Sequence, residues 1–206
     1  LSTYNWKKFR DHTVAKIQQA TVDYDPYWHV IVNDVLHPEL YELCLDKWPR
    51  LDENLQKEKN YLGMNQNRDI WNLEQDGLPF WREYFTNLID HDEIIDAVYS
   101  YEGLDRNRCS WRNSSLWSDY KGYSVSNHYD DYTIDVAWQI YMYCDGGEKW
   151  GTSMNDEHGN ELKRFPFAHN SSWLMRVDAG SWHSCREVDC NERKSIMCRF
   201  MTRSRS

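Results

Sequence analysis

The stretch SNHYDDYTID, residues 126–135, sets one histidine and two aspartates within four positions. On an extended chain, side chains two apart leave from the same face. His128 and Asp130 therefore aim an imidazole nitrogen and a carboxylate oxygen at one point, and such a pair can hold a cation if a third donor joins it. His183, in DAGSWHSCREV, follows an apolar run and a turn at Gly180, and is the candidate. Two imidazoles and one carboxylate on one face of a metal leave three positions open. Asp131 takes the place of Asp130 only if the strand bulges.

That donor set suits a ferrous ion, whose open positions must admit dioxygen and a co-substrate. Ten residues beyond His183, Arg193 and Ser195 again share a strand face. A guanidinium keeps its charge and grips a carboxylate through two parallel hydrogen bonds, and the serine hydroxyl can add another. A metal triad and a carboxylate anchor thus fall in one strand-built cavity.

The elements that must position these groups divide by period. Residues 1–25 read as a helical lead-in, with Val14, Ile17 and Ala20 at helical spacing. WHVIVNDV is a strand candidate and HPELYELCLDKW a helix, started at His37–Pro38 and ended by Pro49. Residues 51–78 read as a long polar loop, and LPFWREYFTNLIDHDEIIDAVYSYEGL as one or two helices with Phe80, Tyr84, Phe85, Leu88 and Ile89 as the apolar stripe. From about residue 108 the period becomes two. LWSDYKGYSVSNHYD, YTIDVAWQIYMYC, SSWLMRVDAG and RKSIMCRFM read as strands. In the second of these, Ile134, Val136, Trp138, Ile140 and Met142 should face the helices. Asp135, Ala137, Gln139, Tyr141 and Tyr143 should face a wet cavity.

The 206 residues suit one domain, with a helical lead-in over about 1–107 and a strand core over about 108–202. A net charge of −9 argues against a general binder of phosphate backbones. No apolar run nears the roughly 20 residues of a membrane span, and no signal peptide is visible, so a cytoplasmic location is expected. The six cysteines read as free thiols, and the eleven Trp and fourteen Tyr mostly as core.

The order H-x-D, distal His, R-x-S resembles the 2-oxoglutarate/Fe(II)-dependent dioxygenases, in particular their prolyl-4-hydroxylase-like branch. YKGYSVSNHYDD is similar to that family's strand before the H-x-D, and IYMYCDGGEKWGTSM to its strand and glycine loop. PYWHVIVNDVLHPELYELCLDKWP resembles the strand and helix that often precede this core, so the likeness spans roughly residues 26–200. It implies an α+β, mainly β fold: a double-stranded β-helix (jelly roll) backed by N-terminal helices. It implies Fe(II) on His128, Asp130 and His183, with 2-oxoglutarate held by Arg193 and assisted by Ser195. Tyr141 matches a tyrosine whose hydroxyl reaches the distal carboxylate, and Tyr120 has the parity to face the same cavity. The basic anchor is Arg here and Lys in many prolyl 4-hydroxylases, a departure that bears on substrate.

The implied reaction consumes dioxygen and 2-oxoglutarate, releases succinate and CO2, and hydroxylates a C–H bond, with a prolyl residue as a candidate substrate and ascorbate as a candidate reductant. The substrate is a small molecule or a peptide, chosen by loops 51–78 and 145–170. The alternatives are an oxidative demethylase of nucleic acid or protein and a catalytically silent jelly-roll binding module. Arg199 reads as a solvated or substrate-side cation, Gln139 and Tyr143 as cavity neighbours, and Trp111, Arg112 and Trp117 as packing or a substrate wall.

Overall fold

The computed structural model describes residues 3–49, 67–73 and 78–202. Helix α1 (Trp6–Gln19) begins where the Asn5 side chain accepts from the Lys8 amide, satisfying one of the amides a helix start leaves open. Its buried residues Trp6, Phe9, Thr13 and Ile17 recur every three to four positions. Helix α2 (Pro38–Asp46) has proline in its first turn and is capped by His37, whose Nδ1 accepts from the Glu39 amide. Helix α3 (Pro79–Tyr84) runs through a π turn at Phe85–Ile89 toward α4 (Asp92–Tyr99).

Among the described residues, eleven strands form two antiparallel sheets. In chain order they are β1 (Val22–Asp23), β2 (His29–Val32), β3 (Arg68–Asn72), β4 (Cys109–Asp119), β5 (Val125–His128), β6 (Ile134–Cys144), β7 (Ser153–Asn155), β8 (Glu161–Arg164), β9 (Ser171–Arg176), β10 (His183–Cys185) and β11 (Arg193–Thr202). The major sheet runs β1-β2-β9-β6-β11-β4-β3 and the minor sheet β5-β10-β7-β8. The helices cover one face of the major sheet, where Phe9, Leu40, Trp81, Leu88 and Ile95 join Val136, Trp138, Ile140, Leu174, Ile196 and Phe200. Its other face packs on the minor sheet through Tyr141, Trp173 and Met175 against Met154 and Cys185.

Four expectations need correction. Three strands from the first half of the chain (β1, β2 and β3) join the major sheet, so the division into a helical lead-in before 107 and a strand core after 108 does not hold. Strand β3 also lies inside the stretch expected to be loop; residues 51–66 and 74–77 of that stretch are outside the described residues. Within 145–170, β7 and β8 form a paired hairpin where only a loop was expected. Finally, the alternation along β6 inverts at both ends. Opposite β11, register shifts fall between Phe200 and Met201 and between Lys194 and Ser195, and each extra residue turns the following side chains over. Ile134 therefore lies on the cavity side, while Asp135 is buried and paired with Arg108. Tyr143 leaves the cavity and meets Lys194, 5.7 Å from its ring centroid.

Candidate metal centre and anion pocket

Strand β5 ends at His128, so Asp130 sits in the following loop and not on a strand. His183 opens β10 and is the cross-strand partner of His128. The two imidazole centroids are 4.3 Å apart. Each Nδ1 lies on a backbone carbonyl two residues back: His128 on Ser126 at 2.9 Å and His183 on Ser181 at 3.0 Å. A carbonyl only accepts, so Nδ1 carries the proton in both rings and each Nε2 presents a lone pair. Those Nε2 atoms stand 3.8 and 3.9 Å from Asp130 Oδ1. That is too long for a hydrogen bond, and it leaves three donors converging without bonding one another. The ligand atoms of His128, Asp130 and His183 all fall within 4.8 Å of one another. Burial holds His183 below the usual imidazole range despite Asp130, which keeps it in the neutral form a cation needs.

The triad lines a cavity of about 670 Å³ between the sheets, within the usual size range for small-molecule sites. Its walls include Trp117, Tyr123, Ile134, Trp173 and Met197, and its cations are Arg68, Arg193 and Arg199. Register places Arg193, Asp119 and Arg68 in one row across β11, β4 and β3. Asp119 bonds Arg193 Nη1 and Arg68 Nε, and Arg68 Nη2 reaches its Oδ2 at 3.0 Å. All three side chains are buried. The row sets two buried guanidiniums around the Asp119 carboxylate on the cavity wall, where guanidinium N–H groups can receive an anion. Arg193 Nε also donates to the Trp150 carbonyl at 2.9 Å.

The remaining expected residues are placed differently. Ser195 and Tyr141 are buried behind the cavity wall. Ser195 Oγ accepts from Gln139 Nε2 at 3.0 Å, and Gln139 Oε1 accepts from Thr152 Oγ1 at 3.1 Å. The Tyr141 hydroxyl donates to Thr152 Oγ1 at 3.0 Å and accepts from the Thr152 amide and from Trp173 Nε1. Gln139 and Thr152 are the members of this chain that reach the cavity along with Trp173. Tyr120 does not face it. Strand β4 ends before Tyr120, whose hydroxyl donates to Asp69 at 3.0 Å beside a second depression near Trp48; Tyr123 lines the main cavity in its place. Trp117 is wall, whereas Trp111 is exposed and Arg112 pairs with Asp90. Sequence reasoning missed Arg68 and Asp119. The alternation of NRDIWN, with Trp71 inward to the helices and Arg68 and Ile70 toward the cavity, was the available signal.

No family model and no curated protein matches the sequence. Solved structures do. A prolyl-4-hydroxylase from Pseudomonas putida superposes with a TM-score of 0.66 at 13% identity, covering 93% of this chain and 100% of that one. A prolyl hydroxylase from Trichoplax adhaerens, in complex with a hypoxia inducible factor oxygen degradation domain peptide fragment, gives 0.60 at 13%, covering 98% and 94%. An oxidoreductase of the 2OG-Fe(II) oxygenase family from Burkholderia pseudomallei gives 0.61 at 13%, covering 97% and 91%. The fold is that of the 2-oxoglutarate/Fe(II) oxygenases. Among the described residues, no helix is long and apolar enough to cross a membrane.

Proposed function

We propose that this protein is an Fe(II)- and 2-oxoglutarate-dependent dioxygenase that hydroxylates a C–H bond, built on a double-stranded β-helix. His128, Asp130 and His183 would hold the iron, and Arg193 the distal carboxylate of the oxo acid. The observation that carries this reading is that one cavity holds both a convergent His-Asp-His donor set with fixed tautomers and a buried guanidinium row led by Arg193. The donors fit the group: two neutral imidazoles and a carboxylate are the set that suits ferrous iron with open positions.

Iron and the oxo acid, when bound, supply the oxidising chemistry, in which O2, 2-oxoglutarate and R–H give succinate, CO2 and R–OH. The chain's own residues do the rest. The Ser126 and Ser181 carbonyls orient the imidazoles. Asp119 holds Arg193 and Arg68 in place, so their charge is set before the ligand arrives. The polar chain from Trp173 through Tyr141, Thr152 and Gln139 to Ser195 fixes the pocket floor without exposing an unpaired group. The aromatic walls exclude water from the reacting centre. A prolyl side chain is one substrate that the resemblance to prolyl hydroxylases suggests.

The test is succinate formation from 2-oxoglutarate in the presence of Fe(II) and air. Wild-type protein should turn over slowly without added substrate, and His128→Ala should not. Equal succinate from both would overturn the reading.

A further inference from the structure

Among the described residues, the cavity's third cation belongs to no ion pair. Arg199 lies on β11 on the same face as Arg193 and Met197, and lines the cavity beside Trp117 and Asp130. Its guanidinium carbon is 5.3 Å from the Trp117 ring centroid, and that of Arg68 is 3.8 Å from the same ring. Arg68 and Arg193 share Asp119. No carboxylate among the described residues comes within 4.0 Å of Arg199, and no hydrogen bond engages its guanidinium. Burial and the nearby Arg68 pull its pKa below the ordinary arginine value, and Asp130 only partly offsets them. An unpaired guanidinium held against an aromatic wall is costly, and it is preorganised for a planar anion. If Asp130 binds iron, its charge is committed to the metal, and Arg199 is left still less compensated.

We propose that the primary substrate is a small carboxylic acid with an apolar body, whose carboxylate Arg199 clamps so that a C–H bond is held beside His128, Asp130 and His183. This rests on the oxygenase reading and names the substrate class of that site. The cavity supports it: its volume of about 670 Å³ suits a small molecule, and Trp117, Tyr123, Ile134 and Met197 give the acid an apolar surface to lie on. Two anions then bind in one cavity, each with its own arginine: the co-substrate at Arg193, the substrate at Arg199.

The probes are the common free amino acids and straight-chain monocarboxylic acids, each beside its primary amide. Binding to metal-free protein is followed by tryptophan fluorescence, and stimulated succinate formation is followed with Fe(II) and 2-oxoglutarate. At least one acid should bind and stimulate turnover, and exceed its amide by on the order of 100-fold in kcat/KM. Arg199→Met should abolish that preference, while Arg199→Lys keeps part of it. In Arg199→Met, the affinity for 2-oxoglutarate and the slow substrate-free turnover should stay at wild-type levels. The proposal is overturned if no acid surpasses its amide, if Arg199→Met retains the preference, or if Arg199→Met weakens 2-oxoglutarate instead. Loss of substrate-free turnover in the wild-type protein would count against the oxygenase reading itself and not against the clamp.

Discussion

His183 stands directly across from His128 in the antiparallel pairing of β10 with β5, and each ring donates its Nδ1 proton to the backbone carbonyl two residues before it. The minor sheet, not the loop alone, therefore sets the spacing of two donors, and Asp130 completes the group from the loop. Divalent metal affinity should depend on all three. With Mn(II) as a redox-inert probe, Asp130→Ala is expected to weaken binding by about 100-fold or more. Calorimetry on the metal-free protein checks this; unchanged affinity would place the metal elsewhere.

Asp119 is the keystone of the guanidinium row. Asp119→Asn keeps the shape but removes the carboxylate with which both Arg68 and Arg193 pair. The expected cost is about 3–5 kcal/mol in urea unfolding, the range for removing one member of a buried ion pair. A loss below about 1 kcal/mol would mean that water or another group compensates the arginines.

The glycine loop presents the Trp150 carbonyl to Arg193, and Gly151 follows it. A Cβ at Gly151 would lie 1.6 Å from the Phe165 carbonyl oxygen, and backbone must move to admit it. Gly151→Ala should lose about 1–3 kcal/mol or more and weaken 2-oxoglutarate binding, because the Trp150 carbonyl shifts with it. At Gly147 the situation differs: φ is +76° with open space around it. Gly147→Ala should cost only the conformational penalty of about 1–3 kcal/mol, with 2-oxoglutarate binding unchanged.

Stability should fall on mild acidification of the metal-free protein. Burial holds both His29 and His183 below the ordinary imidazole value of 6.5. Once unfolded, each takes up a proton at higher pH than it does in the folded chain. Their contribution is therefore complete above about 6.5 and is lost as pH drops toward the lower folded values. The urea midpoint should decrease between about pH 7.5 and 5.5. His29→Phe, whose ring can keep the edge contact with Phe165, should flatten part of that slope. A midpoint that rises on acidification would contradict the assignment.

The triad and Arg193 were legible because residue type and a spacing of two carry across even where the strand stops: β5 ends at His128, yet Asp130 still turns inward. The central apolar face of β6, from Val136 to Ile140, was legible for the same reason. Its ends were not. A bulge has no signature in a run such as YTIDVAWQIYMYC, so Asp135 and Tyr143 were assigned to the wrong face and Ile134 to the wrong partner. Tyr120 failed because a turn, not a strand, follows Asp119. Arg68 was hidden in a polar stretch whose five-residue strand is held only by its pairing with β4, and β7 and β8 are too short to show a period. Arg199 was read only as a solvated or substrate-side cation, and the structure places it on the cavity wall. Its lack of an ion pair among the described residues could be seen only in the folded arrangement.

The most direct test of the central claim is the visible charge-transfer band that should form when the metal-free protein receives Fe(II) and 2-oxoglutarate without oxygen. The band should appear in wild-type protein, be lost in His183→Ala, and require far more 2-oxoglutarate in Arg193→Met. No band in the wild-type protein, or an undiminished one in His183→Ala, would contradict an iron site built on His128, Asp130 and His183.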